Sequence, residues 1–544
     1  MRMPEESALE TIAAAAEAGM TVFDTARAYG DNESLVACAL RACGAKGARI
    51  VTKGGMTRAG GGWVPDGRAK SIRADCEASL AALDGLAIDL YLVHAPDPRT
   101  PWRTTVRALA RLVEEGLVER VGVANVNRRQ LDEALHHAPV AAVQVALSPF
   151  DERALRGGVV ERCSELEIAV IAHSPLGGPR RTGAVGRNAA FAEVAERHGV
   201  TAAEVALAWL LGLSPAIVAI PGARRPETAR SAARAATLEL DDPDRAALAG
   251  SRPAPAARPR PSADADVVLV MGIPGAGKTR LAEDYVARGY FRLNRDERAG
   301  SLRELAAALD DALVSGVHRV VLDNTYLTRA SRSYVVDAAA RHRVPARCIW
   351  LDTPLAQAQS NLVERMLDRY GALPTPDELR AGARREPGLL APTSQMRTLR
   401  ELEPPSADEG FASIEQVAFA RSPRAGTAGV FVAAAALRAG WEPEESESPH
   451  LVFDWLPDGS VDDLADDVAP LAARVAGPLE SAVCPHGGGP PICWCRPPLP
   501  GLPLAFARAH GVDPSRSTLV GTSTAHRTLA ATLGARYASG TIES

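Results

Sequence analysis

Seven short apolar runs recur through the first half of the chain: TVFDT, ARIVTK, LYLVH, RVGVAN, AAVQVA, IAVIAH and AIVAIPG. Between them stand stretches of helical pattern, ETIAAAAEAG, SIRADCEASLAALD, TTVRALARLVEEG, RRQLDEALHHA and EVALAWLLG. Strands that are apolar throughout and alternate with helices predict parallel pairing, because each crossover helix covers the sheet it returns across. Seven of them in about 250 residues predict an α/β fold of the (β/α)8 TIM-barrel class. An open doubly wound sheet is the alternative.

The chain is longer than one such barrel. Its 544 residues correspond to three or four domains at about 150 residues each. Two stretches break the pattern, SRPAPAARPRPSADAD from Ser251 to Asp266 and RSPRAGTAG from Arg421 to Gly429. The predicted segments are therefore 1–250, a Pro/Ala/Arg linker over 251–265, then 266–420 and 429–544. Aromatic residues make up only 4%, so the cores must rest on Ala, Leu and Val. A net charge of −5 gives no global pull toward nucleic acid or acidic lipid. No apolar run approaches the ~20 residues of a membrane span, and MRMPEESALETI lacks the basic-then-apolar pattern of a signal peptide. Eight cysteines form no disulfide scaffold in a chain this long. The expectation is a soluble, cytoplasmic protein without a membrane partner.

Polar residues stand where the first strands end. Asp24 closes TVFD, Tyr29 follows in FDTARAYG, Lys53 closes RIVTK and His94 closes LYLVH. In a parallel barrel these ends share one face. A phenol of pKa ~10 is a weak acid near neutrality, and an adjacent ammonium makes it a usable proton donor by stabilising the phenolate. Asp24 is expected to hold Lys53 charged and in position.

FDTARAYG, VTKGG and YLVHAPD, followed in order by GVAN, VQV, HSPLGG and IPGARRPE, resemble the aldo-keto reductases over nearly the whole segment. The resemblance implies hydride transfer from NADPH to an aldehyde or ketone. It makes Tyr29 the proton donor, Lys53 and Asp24 its tuning pair, and His94 the residue that orients the carbonyl. It places Asn125 and Gln144 at the nicotinamide amide, Ser174 and Leu176 along the pyrophosphate, and Arg224 or Arg225 at the 2′-phosphate of NADP(H). The family opens with a β-hairpin and a first barrel strand, whereas only MRM precedes the first helix here. The expectation is a barrel without its first strand, or a start upstream of this Met.

In the second segment, VVLVMGIPGAGKTRLAEDY carries G-x-x-x-x-G-K-T from Gly272 to Thr279, after a strand and opening a helix. Gly272, Gly275 and Gly277 give a loop whose N–H groups cradle phosphates, Lys278 reaches the β/γ-phosphates of ATP, and Thr279 binds Mg²⁺. Asp296, in RLNRDER, is expected near the γ-phosphate as a general base, with a helix N-cap as its other reading. Asp323 closes HRVVLD, where a ligand to metal-bound water sits, with a turn residue as the alternative. Arg365 and Arg369 share one helix face and are expected to close over the triphosphate, with solvated helix charges as the other reading.

RLNRDE, VVLDNTYLTRASR and EPPSADEGF resemble the polynucleotide 5′-hydroxyl kinases. The resemblance implies a nucleic-acid 5′ end as phosphate acceptor, Asp296 as base and Arg298 as an acceptor-phosphate contact. Between Asp266 and Ala420 there are 20 Lys and Arg against 21 Asp and Glu. That balance lacks the basic footprint of a polynucleotide binder, so a small-molecule or nucleoside acceptor stays open.

In the third segment, CPHGGGPPICWC places Cys484, His486, Cys493 and Cys495 as two close pairs across a Gly/Pro loop. Cys3His with no open position predicts structural Zn²⁺. CPHGGGPPICWCRPPLPG and RSTLVGTS resemble the heptose-bisphosphate and histidinol-phosphate phosphatases of the HAD superfamily. In that pattern Ala433 and Ala435 stand at the two catalytic carboxylates, Pro497 at a lysine and Thr522 at a late aspartate. The expectation is a catalytically inactive HAD-like domain. Asp454, in HLVFDW, is an alternative nucleophile, with Leu456 where its acid partner would be.

The whole chain then reads as an NADPH-dependent carbonyl reductase, an ATP-dependent phosphotransferase and an inactive zinc-bearing tail. Two rivals share these residues: a reductase and small-metabolite kinase of one pathway, and a non-catalytic sensor of NADPH and ATP.

Overall fold

The computed structural model describes residues 5–58, 62–178, 181–248, 265–298, 300–382, 386, 388–418 and 425–540. The expected linker therefore lies outside the described residues, apart from Ala265. The chain divides into two compact units, residues 1–254 and 255–544. No helix among the described residues is long and apolar enough to cross a membrane.

The first unit contains β1 (Val22–Asp24), β2 (Arg49–Gly54), a small antiparallel hairpin of β3 (Met56–Thr57) and β4 (Val64–Pro65), β5 (Leu90–Val93), β6 (Val121–Ala124), β7 (Val140–Ala146), β8 (Ala169–His173) and β9 (Ile217–Ile220). All seven expected strands form. They pair in parallel in the order β1-β2-β5-β6-β7-β8-β9, which follows the chain without reversal. A doubly wound sheet would reverse at a switch point, so the order selects the barrel class. Val22, Val51, Leu92, Ala142, Ile171 and Ile220 meet in one inner cluster that joins the first strand to the last. Alternate residues such as Phe23, Ile50, Tyr91, Val123 and Val170 face the surrounding helices. Among the described residues no strand joins β9 to β1. Outside that gap, helix Glu5–Glu17 packs against helices Asn32–Ala42 and Pro226–Ala235.

The second unit carries two five-stranded parallel sheets. The first is β10 (Asp266–Met271), β11 (Phe291–Leu293), β12 (Arg319–Asp323), β13 (Ala346–Asp352) and β14 (Ser413–Ala418), ordered β11-β12-β10-β13-β14. The other is β15 (Val430–Ala433), β16 (His450–Trp455), β17 (Leu479–Cys484), β18 (Thr518–Gly521) and β19 (Arg536–Ser539), ordered β17-β16-β15-β18-β19. Helix Leu355–Tyr370 presents Leu362, Val363, Met366 and Leu367 to Phe431, Phe453, Trp494, Leu504 and Phe506 in one shared core. Burying these side chains stabilises the unit by about 1.5–3 kcal/mol each, which ties the two sheets together.

Candidate active sites

At the C-terminal ends of the barrel strands, Asp24 is the last residue of β1, Lys53 the fifth of β2, and His94 follows β5. The fully buried Lys53 donates from Nζ to Asp24 Oδ2 at 2.6 Å and to the Thr25 carbonyl at 2.7 Å. Gln144 Nε2 donates to the other Asp24 oxygen at 2.7 Å. Tyr29 sits on a short 3-10 turn whose loop is pinned by Thr25 to Asn32 and by Arg27 to the buried Glu33. Lys53 Nζ is 5.3 Å from the centre of the Tyr29 ring, and the Tyr29 and His94 rings are 5.7 Å apart. The four expected residues are thus brought together.

Trp63, on the hairpin, completes the group at 6.0 Å from Tyr29 and 5.6 Å from His94. Sequence reasoning passed over it, although a lone Trp in GGGWVPDG directly after the lysine strand was a usable signal.

The electrostatics differ from expectation at one point. Burial and then the Asp24 carboxylate push the Tyr29 phenol up to about 12, rather than Lys53 drawing it down. Lys53 directs its charge at Asp24 and a carbonyl, and burial lowers its own pKa. The phenol therefore keeps its proton across the physiological range. Burial, with Lys53 adding, brings His94 down to about 4, so its ring is neutral. His94 Nδ1 is buried and has no hydrogen-bond partner among the described residues.

Asn125 follows β6 with φ 56°, a left-handed position that Asn tolerates better than most residues. Its amide donates to the His94 carbonyl at 2.9 Å, and its Oδ1 lies 3.0 Å from His173 Nε2. Asn125 and Gln144 are each anchored by these bonds, and each amide keeps further hydrogen-bonding capacity. Ser174 also has positive φ and approaches His173 Nδ1 at 3.2 Å, while Leu176 packs against the barrel core. Arg224 and Arg225 are exposed, and Arg225 occupies the N-cap of helix Pro226–Ala235. Two guanidinium groups at a helix N-terminus suit a phosphate.

The first sheet of the second unit opens onto a cavity of about 1290 Å³ at the ends of its strands. Gly272–Thr279 leave β10 and enter helix Lys278–Ala287. Gly275 has φ +85°, and a Cβ there would fall 2.2 Å from the Ala358 carbonyl, so only glycine fits. Asn361 Nδ2 holds the Gly275 carbonyl at 2.8 Å and Gln395 Nε2 the Pro274 carbonyl at 2.9 Å. Lys278 Nζ donates to the carbonyls of Gly272 and Ile273, curled onto the loop that would carry a phosphate. Desolvation lowers it to about 8.

Asp296 lines this cavity and is exposed. Its N-cap reading falls away, because Asn294 Oδ1 accepts from the Asp296 N–H at 2.7 Å and is itself the cap. Asp323 ends β12 and lines the cavity, where Arg292 donates to both its oxygens at 2.9 Å. Thr279 lines the cavity. Arg365 and Arg369 part ways: Arg365 lines the cavity and Arg369 pairs with Glu386 at 3.5 Å. Arg298 lies 5.7 Å from the centre of the Phe291 ring.

In the other sheet, the central strand β15 ends at Ala433, and Ala435 lies in the short helix Ala434–Arg438. Thr522 follows the adjacent β18, with its N–H on His526 Nδ1 at 3.2 Å. Asp454 accepts from Arg438 at 2.8 Å. At the end of β17, Cys484 Sγ lies 3.7 Å from Cys493 Sγ, 3.3 Å from Cys495 Sγ and 3.5 Å from His486 Nδ1. Cys495 Sγ is 3.3 Å from the same nitrogen. A tetrahedron with ~2.3 Å metal–sulfur bonds has edges near 3.7 Å, so the four side chains fit Zn²⁺.

Residues 1–252 match the aldo/keto reductase family, and residues 267–381 match the AAA domain family. The chain is similar to the aldo-keto reductase str7 of Strobilurus tenacellus, 30% identical over 274 residues, which span 45% of this chain and 80% of that protein. Among solved structures it is similar to a thermostable aldo-keto reductase in complex with the inhibitor epalrestat, at 32% identity, TM-score 0.40, 45% of this chain and 86% of that one. Another is the aldo/keto reductase of Klebsiella pneumoniae in complex with NADP and acetate, at 28% identity, TM-score 0.40, 45% and 84%.

Proposed function

This chain belongs to the aldo/keto reductase family through residues 1–252, and from that premise we propose that its first unit reduces an aldehyde or ketone with NADPH. The observation that carries the reading is the meeting of Asp24, Tyr29, Lys53 and His94 at adjoining strand ends. NADPH, when bound, supplies the hydride. Tyr29 gives its phenolic proton to the carbonyl oxygen, and the Lys53 ammonium offsets the charge left on the phenolate. Asp24 keeps that ammonium in place. The neutral His94 orients the carbonyl through a ring N–H. Arg224 and Arg225, at their helix N-terminus, receive the 2′-phosphate, while Asn125, Gln144, Ser174 and Leu176 shape the cofactor channel.

For the second unit we infer ATP-dependent phosphoryl transfer to a hydroxyl. Lys278 and the loop from Gly272 to Thr279 bind the triphosphate, Thr279 holds Mg²⁺, and Arg365 lines the same cavity. Asp296, exposed in that cavity, accepts the proton of the acceptor hydroxyl. The acceptor that the sequence resemblance favours is a polynucleotide 5′-hydroxyl. The sheet from β15 to β19 is read as a HAD-like domain without phosphotransfer chemistry, because alanine occupies the end of its central strand. Cys484, His486, Cys493 and Cys495 hold a structural Zn²⁺.

Two assays on the full chain test these readings. Tyr29→Phe is expected to slow NADPH-dependent carbonyl reduction by about 10²- to 10⁴-fold; an unchanged rate removes Tyr29 as donor. Transfer of labelled γ-phosphate from ATP to a 5′-hydroxyl oligonucleotide is expected in the wild type and lost in Asp296→Ala. ATP turnover without labelled oligonucleotide moves the acceptor to small molecules. Binding without turnover at both sites favours a sensor.

A further inference from the structure

Trp494 stands between two of the four metal-type ligands, Cys493 and Cys495, yet its side chain belongs to a different neighbourhood. It is fully buried in the core shared with helix Leu355–Tyr370, and its indole Nε1 donates to the Leu390 carbonyl at 2.8 Å. Leu390 and Gly388 line the cavity above the phosphate loop. Leu389, between them, is buried in the same core as Trp494. Gly388, at φ +92°, is where the Arg365 guanidinium rests: a Cβ there would lie 2.6 Å from Arg365 Nη2. A continuous line of contacts thus runs from the Cys3His loop, through one indole, to the wall behind a cavity arginine.

We propose that Trp494 is a positioning residue for the nucleotide cavity, with the Cys3His loop as the strut that aims it. The inference rests on the reading of that cavity as an ATP site. Ligands on both sides of Trp494 fix its backbone when metal is bound. The indole N–H then holds the Gly388–Leu390 wall, and that wall keeps the Arg365 guanidinium turned into the cavity. Loss of metal frees the loop, lets the wall withdraw and weakens nucleotide binding, although no ligand of the metal touches the nucleotide. This gives the sheet without strand-end chemistry a use in the neighbouring site.

The test is calorimetric titration of the full chain with ATP and Mg²⁺, which separates affinity from the fraction of competent protein. Trp494→Phe keeps an aromatic ring in the core, removes the N–H and leaves a small void beside it. The expected result is wild-type zinc content, a stoichiometry near one and an ATP Kd about threefold to tenfold weaker, the scale of one buried hydrogen bond. Wild type stripped of zinc by chelator and dialysed is expected to lose at least as much affinity and to recover it on re-addition of Zn²⁺. A Trp494→Phe protein with wild-type Kd overturns the proposal. So does a lowered stoichiometry at unchanged Kd, since that marks a structural role alone. If Trp494→Phe does not fold, the stripped and reloaded wild type decides. A wild type that binds no ATP overturns the reading of the cavity itself and takes this inference with it.

Discussion

β10 and β15 each lie at the centre of a five-stranded parallel sheet in the second unit, and in both sheets the strand order reverses there. Such a reversal opens a crevice at the strand ends, the usual place for a ligand in an open α/β sheet. Past β10 the chain makes the glycine loop, Lys278 and Thr279, with Asp296 opposite. β15 itself ends at Ala433, and Ala434 and Ala435 already open a helix of five residues. The winding is shared and the side chains at the strand ends are not, so topology supplies a crevice and side chains decide its use. What holds the second sheet in place is its core: Phe431, Phe453 and Trp494 pack against the helix that also carries Arg365 and Asn361.

The sharpest way to break this comparison is to move the active chemistry. Lys278→Ala is expected to lower phosphoryl transfer on the order of 10²- to 10³-fold, the cost of removing a charge-stabilising donor. Ala435→Ser, at the matching turn of the other sheet, is expected to leave it unchanged. Phosphatase turnover that survives Lys278→Ala would place chemistry in the second sheet and overturn the contrast.

Metal removal sharpens the comparison from the other side. A site loaded at ~1,000 times its Kd contributes about 4 kcal/mol to the folded state. At 2–4 °C per kcal/mol for a unit of this size, stripping zinc is expected to lower its melting temperature by about 10 °C. Elemental analysis beside calorimetry checks this. A protein that purifies without zinc and melts unchanged would sink the Cys3His assignment.

Much of this architecture was legible in the sequence, for identifiable reasons. All seven barrel strands were readable because strands buried on both faces are apolar throughout. The helix Pro226–Ala235 was not, since only alanines, Ala229 and Ala235, form its buried face and give weak periodicity. The Asp24, Tyr29, Lys53, His94 group could be read from strand ends, because parallel pairing brings those ends together. The upward push on Tyr29 could not, as it depends on how its neighbours desolvate the hydroxyl and on the Asp24 carboxylate nearby. Nor could the grip of Arg292 on Asp323, or of Trp494 on Leu390, because both join residues whose spacing along the chain carries no signal.

The smallest effect concerns Lys278, whose empty-state environment can be titrated. Burial lowers its ammonium from 10.5 to about 8, opposed by Asp323 and reinforced by Arg365. Because the folded value lies below the unfolded one, the charged lysine costs the unliganded protein stability below pH 8. That cost is relieved as pH rises from about 8 to 10.5. Nucleotide binding runs the opposite way. A triphosphate needs the ammonium and raises its pKa again, so binding above pH 8 must take up a proton. ATP affinity is therefore expected to be level below pH 8 and to weaken by up to about tenfold per pH unit above it. Titrations in two buffers of different ionisation enthalpy report the proton directly. Affinity that stays level to pH 9.5, with no proton uptake, would mean that Lys278 is already charged in the empty loop, and that this crevice is less dry than its partners make it.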